Sequence, residues 1–497
     1  MDNAVKIRKD FGRIQNWISG QYQSSSANQY ADIYSPYTGE VIGECPMGTT
    51  GDVDQAVAAA SKAFPGWKNT NIKNRVQVMF RFKDLIEKNL AELSNLVALE
   101  NGKTLAEAEA GIMKGIECLE YACALPNKIA GEFQEVSAGV TCQMKREPLG
   151  VVASISPFNF PFMVPMWTVP LALTAGNAML LKPSEQVPLS ALRMGELLKE
   201  AGLPDGIFNV VNGAVEVVEG ICDHPDIEAI SFVGSSTVAK IVYTRGTATG
   251  KQVLALGGAK NHLVCMPDAN LEYAPEQIVN SAIGCAGQRC MAASLMVAVG
   301  DCSEVIEQMV NYASSVKVGT GQGAIISSAA VKRINSYIDQ AEEMGAKVSV
   351  DGRNAKPEHY IEGSENGYWV GPTILDNVTP DMPAAHDEIF GPVLSIVHVD
   401  TLEEAVELEN KSPYGNAASI FTCSGAPAEY LAEHASAGMI GVNIGVPVPR
   451  EPFSFGGWND SRYGTGDLTG EDGIYFWTKN KKVTTKWVNP NNPDWMS

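Results

Sequence analysis

The first third of the chain has the hydrophobic pattern of amphipathic helices. Between residues 53 and 130, apolar residues recur at three- and four-residue spacing, as in VQVMFRFKDLIEKNLAELSNLVALE. This spacing places the apolar side chains on one face of a helix with 3.6 residues per turn. The pattern therefore predicts a run of helices over this region.

From about residue 137 the pattern changes to short apolar runs separated by helical stretches. Each run is rich in Val, Ile, Leu and Phe and ends in Pro, Ser, Asn or Gly, as in GVVASISP, NAMLLKPS, IFNVVNG, EAISFVGS and KQVLALGG. Helical patterns such as LSALRMGELLKEAG lie between these runs. Apolar strands that alternate with helices predict a parallel, doubly wound sheet.

A second series of apolar runs follows, again with helical patterns between them: LMVAVG, AKVSVDG, VGPTIL, PVLSIVHV and AASIFT. The two series together predict an α/β fold with two doubly wound parallel sheets in tandem. Tandem units of this kind meet along a cleft, which is the usual place for a ligand.

The C-terminal tail has an alternating pattern of its own. KKVTTKWVNP alternates apolar and polar residues, and so does VTCQMKREP near residue 140. We expect the two segments to pair as a protruding flap. An exposed sheet edge of this kind usually pairs with another subunit, so the flap predicts an oligomer.

Length and charge narrow the possible functions. The 497 residues include 37 Lys and Arg against 57 Asp and Glu, which gives a net charge of −20. This acidic balance argues against general nucleic-acid binding, whereas an anionic small molecule responds to the local field of its site. At roughly 150 residues per domain, the length indicates two to four folding units.

The sequence indicates neither a membrane segment nor a metal site. No stretch reaches about 18 uncharged apolar residues, and the polar start lacks the apolar core of a signal peptide. The ten cysteines are scattered without CxxC pairs, which is typical of a reduced cytoplasmic protein. The six histidines lie far apart, so no structural zinc site is predicted.

The segment Gly287-Gln288-Arg289-Cys290 is a candidate for nucleophilic chemistry. A turn or helix start here would expose the thiol of Cys290. An adjacent guanidinium and a helix N-terminus would both lower the thiol pKa and favour the thiolate. The alternative is a buried structural cysteine. Cys285 has the more apolar flank and is predicted to lie in the core.

An asparagine follows the strand GVVASI in the segment Ser156-Pro157-Phe158-Asn159-Phe160-Pro161. Held between prolines and aromatic residues at the mouth of a strand, Asn159 is a rigid amide donor that could stabilise an oxyanion. The alternative is an asparagine that only satisfies the backbone of a turn.

Two further strand ends carry polar residues suited to a dinucleotide. Lys182 and Glu185 follow NAMLL and could hydrogen-bond ribose hydroxyls; alternatively, Ser184 and Glu185 simply begin the next helix. Gly234 and Ser235 follow EAISFV and could open a helix N-terminus towards a pyrophosphate.

The segment Glu388-Ile389-Phe390-Gly391-Pro392-Val393 could complete such a site. The carboxylate of Glu388 could accept ribose hydroxyls while Phe390 packs on a ring; the alternative is a helix-end glutamate and a core phenylalanine. No GxGxxG fingerprint occurs, and the glycines between 319 and 323 lack the Lys-Ser/Thr of a phosphate loop. They are therefore predicted to form an ordinary loop.

The motifs PFNFP, LKPSE, FVGSS, GQRC and EIFGPV occur in this order, and in them the chain resembles the aldehyde dehydrogenase superfamily over nearly its whole length. Within it, PFNFPFMVPMW, AGLPDGIFNVVNG, CDHPDIEAISFVGS, GAKNH and PVPREPFSF are most similar to the methylmalonate-semialdehyde dehydrogenase branch, which makes acyl-CoA.

The resemblance implies roles for individual residues. Cys290 would attack the aldehyde, and the side-chain amide of Asn159 would hold the oxyanion together with the Cys290 N–H. Hydride would pass to NAD, leaving a thioacyl-enzyme. The residues expected at the NAD site are Ser156, Phe158, Lys182, Glu185, Gln186, Gly234, Ser235, Gly257, Glu388 and Phe390. Glu185 would repel a 2′-phosphate, which favours NAD over NADP.

The acyl acceptor is indicated by a missing carboxylate. Hydrolytic relatives carry a glutamate in Glu-Leu-Gly-Gly-Lys that activates water, whereas the matching stretch here, 255–262, reads ALGGAKNH. Loss of a positioned general base typically costs about 10²–10⁴-fold in rate. A thiol needs less help, because part of it is already thiolate near neutral pH. Coenzyme A is therefore the expected co-substrate; a hydrolytic enzyme that makes the free acid is the alternative.

The substrate is expected to be a short anionic aldehyde. Two arginines bind the substrate carboxylate in the semialdehyde branch; Arg289 matches one, and Lys114 stands where the other would be. Lysine keeps the charge but loses the bidentate fork. Arg450 either compensates or is a plain surface charge. The sequence does not distinguish among malonate semialdehyde, its methyl form and a sulfonated analogue as the substrate. If the substrate has a β-carboxylate, that group would leave as CO2, giving acetyl- or propionyl-CoA.

The resemblance also implies a domain division and an assembly. Residues 1–133 and 151–256 would bind NAD, 257–440 would carry the nucleophile, and 134–150 with 441–497 would form the oligomerisation flap and C-terminal segment of a homotetramer, a dimer of dimers. A catalytically silent structural member of the fold is the alternative from another functional class.

Overall fold

The computed structural model describes residues 5–7, 10–358 and 361–487. The helices, in chain order, are α1 Thr50–Asn69, α2 Ile72–Lys88, α3 Leu90–Asn101, α4 Leu105–Cys123, α5 Leu125–Lys128, α6 Met163–Ala175, α7 Leu189–Glu200, α8 Val215–Asp223, α9 Ser236–Ala248, α10 Ala274–Ile283, α11 Ser303–Ser315, α12 Ser328–Glu343, α13 Pro383–His386, α14 Leu402–Asn410, α15 Gly425–His434 and α16 Gly470–Phe476.

The strands, in chain order, are β1 Asn16–Ile18, β2 Gln21–Gln23, β3 Tyr30–Tyr34, β4 Val41–Pro46, β5 Glu132–Ser137, β6 Val140–Pro148, β7 Val151–Ile155, β8 Ala178–Lys182, β9 Phe208–Val210, β10 Ile227–Val233, β11 Gln252–Leu256, β12 His262–Cys265, β13 Leu295–Val299, β14 Lys347–Val350, β15 Thr373–Asp376, β16 Val393–Val399, β17 Tyr414–Gly415, β18 Ala417–Phe421, β19 Met439–Val442, β20 Trp458–Asn459, β21 Arg462–Tyr463 and β22 Thr478–Lys486.

The region 53–130 is helical, as its spacing predicts. Helices α1 to α5 cover it with short breaks. A capping box at Thr104 begins α4, where the hydroxyl accepts from the Glu107 N–H and the Glu107 carboxylate accepts from the Thr104 N–H. Gly102 ends α3 in the left-handed conformation, with φ of 89°. These local signals explain why the breaks fall where they do.

The first apolar series forms the centre of an eight-stranded sheet in the order β2-β1-β9-β8-β7-β10-β11-β21. The five strands from β9 to β11 are parallel, as predicted, because helices cover both faces and every buried run can be apolar. The strands on either side of this parallel core differ from the prediction. β1 and β21 pair antiparallel with their neighbours, so the sheet is mixed at both ends.

The second series lies in a seven-stranded sheet in the order β14-β15-β16-β13-β12-β18-β19. Here β14 is an antiparallel edge strand, which corrects the expectation of a wholly parallel sheet. Strands β12 and β19 were missed by the pattern analysis. The polar residue His262 begins β12 and Gly441 interrupts β19, so neither segment forms a continuous apolar run.

The tail pairs with the segment near residue 140, as predicted. β22 lies antiparallel to β6, with Thr478 opposite Pro148 and Lys486 opposite Val140, and β5 forms the other edge. The last residues of the tail motif, 488–490, lie outside the described residues. All of β5 is exposed, so the flap has a free edge; that it pairs with another subunit remains a prediction.

The two large sheets face each other across a cleft. The carboxyl ends of β7, β8, β10 and β11 border it from one side. The segments that lead into β13 and β16 border it from the other. Helices in the described part of the chain include none long and apolar enough to cross a membrane. The predicted assignment of each sheet to NAD binding or catalysis is not decided by this topology.

Candidate active site

The cleft has a volume of about 550 Å³ and brings together most of the predicted site residues. Those that line it are Cys290, Asn159, Ser156, Phe158, Lys182, Glu185, Gly234, Ser235, Gly257, Glu388 and Phe390. Three do not: Gln186, Arg289 and Lys114. Residues far apart in sequence meet here because each one ends or precedes a strand of one of the two sheets.

Cys290 lies in a turn between α10 and β13, not at a helix start. The preceding Cys285, Ala286 and Gly287 all have positive φ, of 55°, 52° and 68°. A Cβ at Gly287 would lie 1.9 Å from the Gly391 carbonyl oxygen, so only glycine fits there. Two consecutive non-glycine residues in the left-handed region are strained, and such strain clusters at functional sites. Cys285 is buried, as predicted.

The pKa of the Cys290 thiol is shifted upwards, which is opposite to the expected direction. Burial, followed by the negative field of Glu388, raises it to about 12. The backbone N–H groups of Cys290 and Met291, together with Arg289, oppose this rise without overcoming it. Arg289 lowers the thiol pKa, as expected, but the expected helix terminus is absent because no helix starts at Cys290, and desolvation of the sulfur is the larger effect.

Asn159 is held by a buried lysine. Lys103 Nζ donates to the Asn159 carbonyl oxygen at 2.5 Å and to Asn101 Oδ1 at 3.0 Å. Asn101 Nδ2 donates in turn to the Phe158 carbonyl oxygen at 2.7 Å. Asn159 itself is only 5% exposed. The backbone on both sides of the amide is therefore fixed from α3 and the loop that follows it, which a pre-organised oxyanion donor requires.

The Glu388 side chain contacts the segment that follows β11, on the other side of the cleft. Its Oε1 accepts from the Ala259 N–H at 3.0 Å, and a Cβ at Gly258 would lie 2.6 Å from its Oε2. Burial raises the pKa of Glu388 to about 7, against the lowering effects of the Ala259 N–H, Lys260 and Arg333. Glu388 therefore titrates near neutral pH. It lies after α13 and its C-cap Asp387, in a segment without regular secondary structure, so it is not part of that helix.

Aromatic and polar groups complete the inner cleft. The rings of Phe158 and Phe390 meet edge to face with centroids 5.8 Å apart. The Ser156 hydroxyl is buried and has no hydrogen-bond partner among the described residues. A buried polar group without a partner is costly, so it marks a position that a ligand would satisfy.

The outer cleft carries an ion pair and a helix terminus. Lys182 Nζ lies 3.4 Å from Glu185 Oε2. The next helix, α7, begins only at Leu189, so the alternative that Ser184 and Glu185 start it is wrong. Ser235 is the N-cap of α9, as the Gly-Ser step predicts.

Sequence reasoning missed two features of the cleft. The first is an apolar slot between α8 and α9, formed by Val215, Val238 and Ile241, of which Val215 is 69% and Ile241 55% exposed. Its only sequence signal is the presence of large apolar residues on otherwise polar helix faces. The second is Arg333 on α12, which has no distinguishing local pattern.

The segment 255–262 contributes only glycine backbone to the lining of the cleft. Gly257 and Gly258 line the cleft just after β11. Lys260 points away and donates to the Ala384 carbonyl oxygen at 2.9 Å, and burial lowers its pKa to about 8. The carboxyl group that contacts this segment is that of Glu388, through the Ala259 N–H.

The predicted carboxylate clamp is not assembled in the cleft. Arg289 Nη2 donates to the carbonyl oxygens of Asn280 and Ser281 at the end of α10, at 2.5 and 2.9 Å. Its Nε is buried and has no partner in the described part of the chain. Gly284 makes room for the guanidinium, since a Cβ there would lie 2.8 Å from it.

Lys114 and Arg450 are engaged elsewhere. Lys114 Nζ lies 3.0 Å from Glu117 Oε2 and 3.1 Å from Glu451 Oε2. The Arg450 side chain is 81% exposed and lies 3.7 Å from Glu117. Arg450 is thus a surface charge in an exposed ion pair, and the charge of Lys114 is already neutralised by carboxylates of this chain.

Comparisons with known proteins agree with this arrangement. A family model described as "Aldehyde dehydrogenase family" matches residues 22–483. Malonate-semialdehyde dehydrogenase 1 of Geobacillus thermodenitrificans is 46% identical over 95% of this chain and 99% of that protein. A putative methylmalonate-semialdehyde dehydrogenase from Sinorhizobium meliloti, solved with NAD, is 40% identical over 96% and 98% of the two chains, with a TM-score of 0.94. The methylmalonate-semialdehyde dehydrogenase of Oceanimonas doudoroffii is 41% identical over 97% and 99%, also with a TM-score of 0.94.

Proposed function

The chain belongs to the aldehyde dehydrogenase family, and we propose that it is an NAD-dependent, CoA-acylating semialdehyde dehydrogenase. Its substrate would be malonate or methylmalonate semialdehyde, the compounds named in its relatives. The observation that carries the CoA-acylating part is the absence of a side-chain carboxylate from the 255–262 segment, in a cleft that holds a cysteine.

The cleft fits NAD. The buried hydroxyl of Ser156 lacks a partner among the described residues, and the α9 N-terminus at Ser235 favours a pyrophosphate. The apolar slot between α8 and α9 suits the adenine ring, and Lys182 with Glu185 suits its ribose. Phe158, Gly234, Gly257 and Phe390 shape the remaining wall. When bound, NAD supplies the acceptor for a hydride.

The residues of this chain supply the covalent chemistry. Sγ of Cys290 loses its proton to solvent and forms a bond with the aldehyde carbon, while the electron pair of the C=O π bond moves to the oxygen, which becomes an oxyanion. The Asn159 side-chain amide and the Cys290 N–H donate to that oxygen. When the carbonyl re-forms, the C–H electron pair leaves as hydride and a thioester remains on Cys290.

The acceptor of the acyl group decides between the proposal and its alternative. Without CoA we expect about one NADH per Cys290 and then slow turnover, because no base in the 255–262 segment activates water. With CoA, turnover should continue and the thioester should be detected by mass spectrometry, as acetyl- or propionyl-CoA with CO2. Rapid CoA-independent formation of the free acid would instead establish the hydrolytic alternative.

Glu388 should make NAD binding depend on pH. Because burial raises its pKa from 4.5 to about 7, the carboxyl takes up a proton just below neutral pH. Only the ionised form accepts ribose hydroxyls strongly, so the Kd for NAD should fall as pH rises from about 6 to 8, by up to about tenfold in total. Binding is measured by fluorescence titration.

The control for this effect is a second carboxyl in the same cleft. Glu388→Gln should flatten the pH dependence of the NAD Kd. Glu219→Gln changes a residue of the outer cleft that pairs with Arg245, and it should keep the wild-type slope. Equal slopes in the wild type and Glu388→Gln would show that another group titrates.

Arg289 remains our proposed partner of the substrate carboxylate. Its buried Nε has no partner in the described structure, whereas Lys114 already has two carboxylates. Arg289→Met should therefore raise the KM for an anionic semialdehyde by about 10- to 100-fold, the worth of a charged hydrogen bond. Lys114→Met should have the smaller effect. KM values for a neutral aldehyde of the same length serve as the reference, and equal changes for both aldehydes would contradict the role of Arg289.

The assembly and the domain roles follow as part of the proposal. We assign residues 1–133 and 151–256 to NAD binding and residues 257–440 to catalysis. Within these ranges, residues 1–4, 8–9 and 359–360 lie outside the described part of the chain. Residues 134–150 and 441–497 would form the flap and C-terminal segment of a homotetramer. The exposed β5 edge and Phe133, 72% exposed, support an intersubunit role. The described cysteines are free thiols, which supports a cytoplasmic location.

A further inference from the structure

The backbone carbonyl of Cys290 is held by two side-chain amides. Asn261 Nδ2 donates to the Cys290 carbonyl oxygen at 2.7 Å, and Asn416 Nδ2 donates to the same oxygen at 3.0 Å. Asn261 Nδ2 also reaches the Ala292 carbonyl oxygen at 2.9 Å. Neither asparagine has a part in the roles proposed above, although both lie directly behind the nucleophile.

The sheet brings the two amides together. Asn261 immediately precedes β12 and Asn416 immediately precedes β18, and these neighbouring strands pair in parallel. The Asn261 Oδ1 accepts from the Ala417 N–H at 3.1 Å and from Asn416 Nδ2 at 3.4 Å. The two residues are 4% and 7% exposed. The pair is thus a rigid part of the sheet, linked to the turn that leads into β13.

The planarity of the peptide bond connects this pair to the sulfur. In a trans peptide the C=O and the N–H point in opposite directions. Fixing the Cys290 carbonyl therefore fixes the direction of the Met291 N–H, which belongs to the same peptide. That N–H, with the N–H of Cys290 itself, lowers the thiol pKa and so favours the thiolate.

We propose that Asn261 and Asn416 are positioning residues that lock the Cys290–Met291 peptide with its N–H directed at the Cys290 sulfur. The inference rests on the proposed function only in taking Cys290 as the nucleophile. Without the two amides, the peptide could rotate and the sulfur would lose one of its few anion-stabilising dipoles. The charged groups that face the sulfur are Glu388, which opposes the thiolate, and Arg289, which favours it; neither contacts the amide pair.

The test measures the acidity of the thiol directly. Asn416→Leu keeps the branching at Cγ and removes the donor. Alkylation of Cys290 by iodoacetamide, quantified at this residue by mass spectrometry, is followed as a function of pH. We expect the rate profile to move to higher pH by about one unit, so that alkylation at a fixed pH below the midpoint is about tenfold slower. In turnover, kcat should fall while the KM for aldehyde stays unchanged.

A control variant distinguishes positioning of the Cys290–Met291 peptide from a general loosening of the sheet. Asn443→Gly removes another strand-end amide of the same sheet, one that bonds the Thr422 backbone, and suits the positive φ of that position. Its alkylation profile should match the wild type. A folded Asn416→Leu with an unshifted profile, or an equal shift in Asn443→Gly, would overturn the proposal.

Two smaller substitutions test the proposal if the leucine variant does not fold. If Asn416→Leu does not fold, Asn416→Ser and Asn261→Ser are measured in the same way, since their hydroxyls are too short to reach the Cys290 carbonyl. They should show the same displacement, and unshifted profiles in both would overturn the proposal. Because alkylation uses no aldehyde, NAD or CoA, this result is independent of the CoA experiment that tests the function.

Discussion

Cys290→Ala is expected to lower kcat/KM for aldehyde oxidation by at least about 10⁴-fold, because no other described thiol lines the cleft that could form the thioacyl intermediate. NAD binding should survive, since the proposed cofactor contacts come from other residues. NADH formation measures the first effect and fluorescence titration of NAD the second. Alanine leaves the turn intact, because Cys290 has no special backbone conformation in the structure.

Cys285→Ala is the matched control for this loss. Cys285 is a buried thiol in the same segment, it does not line the cleft, and its backbone conformation is shared by Ala286. Its replacement should change kcat/KM only slightly. If Cys290→Ala kept the parent rate, or if Cys285→Ala showed the large loss instead, the assignment of the nucleophile would be wrong.

Asn159→Ala is expected to lower kcat by about 10²–10³-fold, which is the usual cost of removing one oxyanion donor. The oxyanion exists only after attack, so the interaction stabilises the transition state more than bound aldehyde. The KM should therefore change little. The hydrogen bond from Lys103 reaches the backbone carbonyl of Asn159, so the loop should keep its position in the variant.

Two measurements distinguish this role from a structural one. Alkylation of Cys290 by iodoacetamide in Asn159→Ala should match the wild type, because the amide acts on the substrate oxygen and not on the thiol. The kcat is compared at saturating NAD and CoA. A variant with unchanged kcat and a raised KM would show that the amide only binds the aldehyde, as a turn asparagine with an incidental contact would.

Strands that are buried on both faces are the ones that the sequence pattern predicts. Strands such as β7 and β8 are covered on both faces, so every position is apolar and the run is visible in the sequence. The edge strand β14 was also predicted, but its antiparallel direction was not, because its residues are exposed or half-buried and its direction is set by its neighbour. The flap was predicted from alternation alone, and β6 and β22 do pair.

The sequence by itself determined the family, predicted the central parallel strands and singled out Cys290, Asn159 and Glu388 as candidate site residues, because motifs at strand ends are visible without their surroundings. Only the tertiary structure decided the state of those groups. Burial beside Glu388 raises the Cys290 pKa to about 12, Lys114 is neutralised by Glu451, and Asn261 and Asn416 meet at the Cys290 carbonyl oxygen. Desolvation, ion pairing and peptide orientation depend on distances between residues that lie far apart in the chain, and these distances exist only once the sheets have formed.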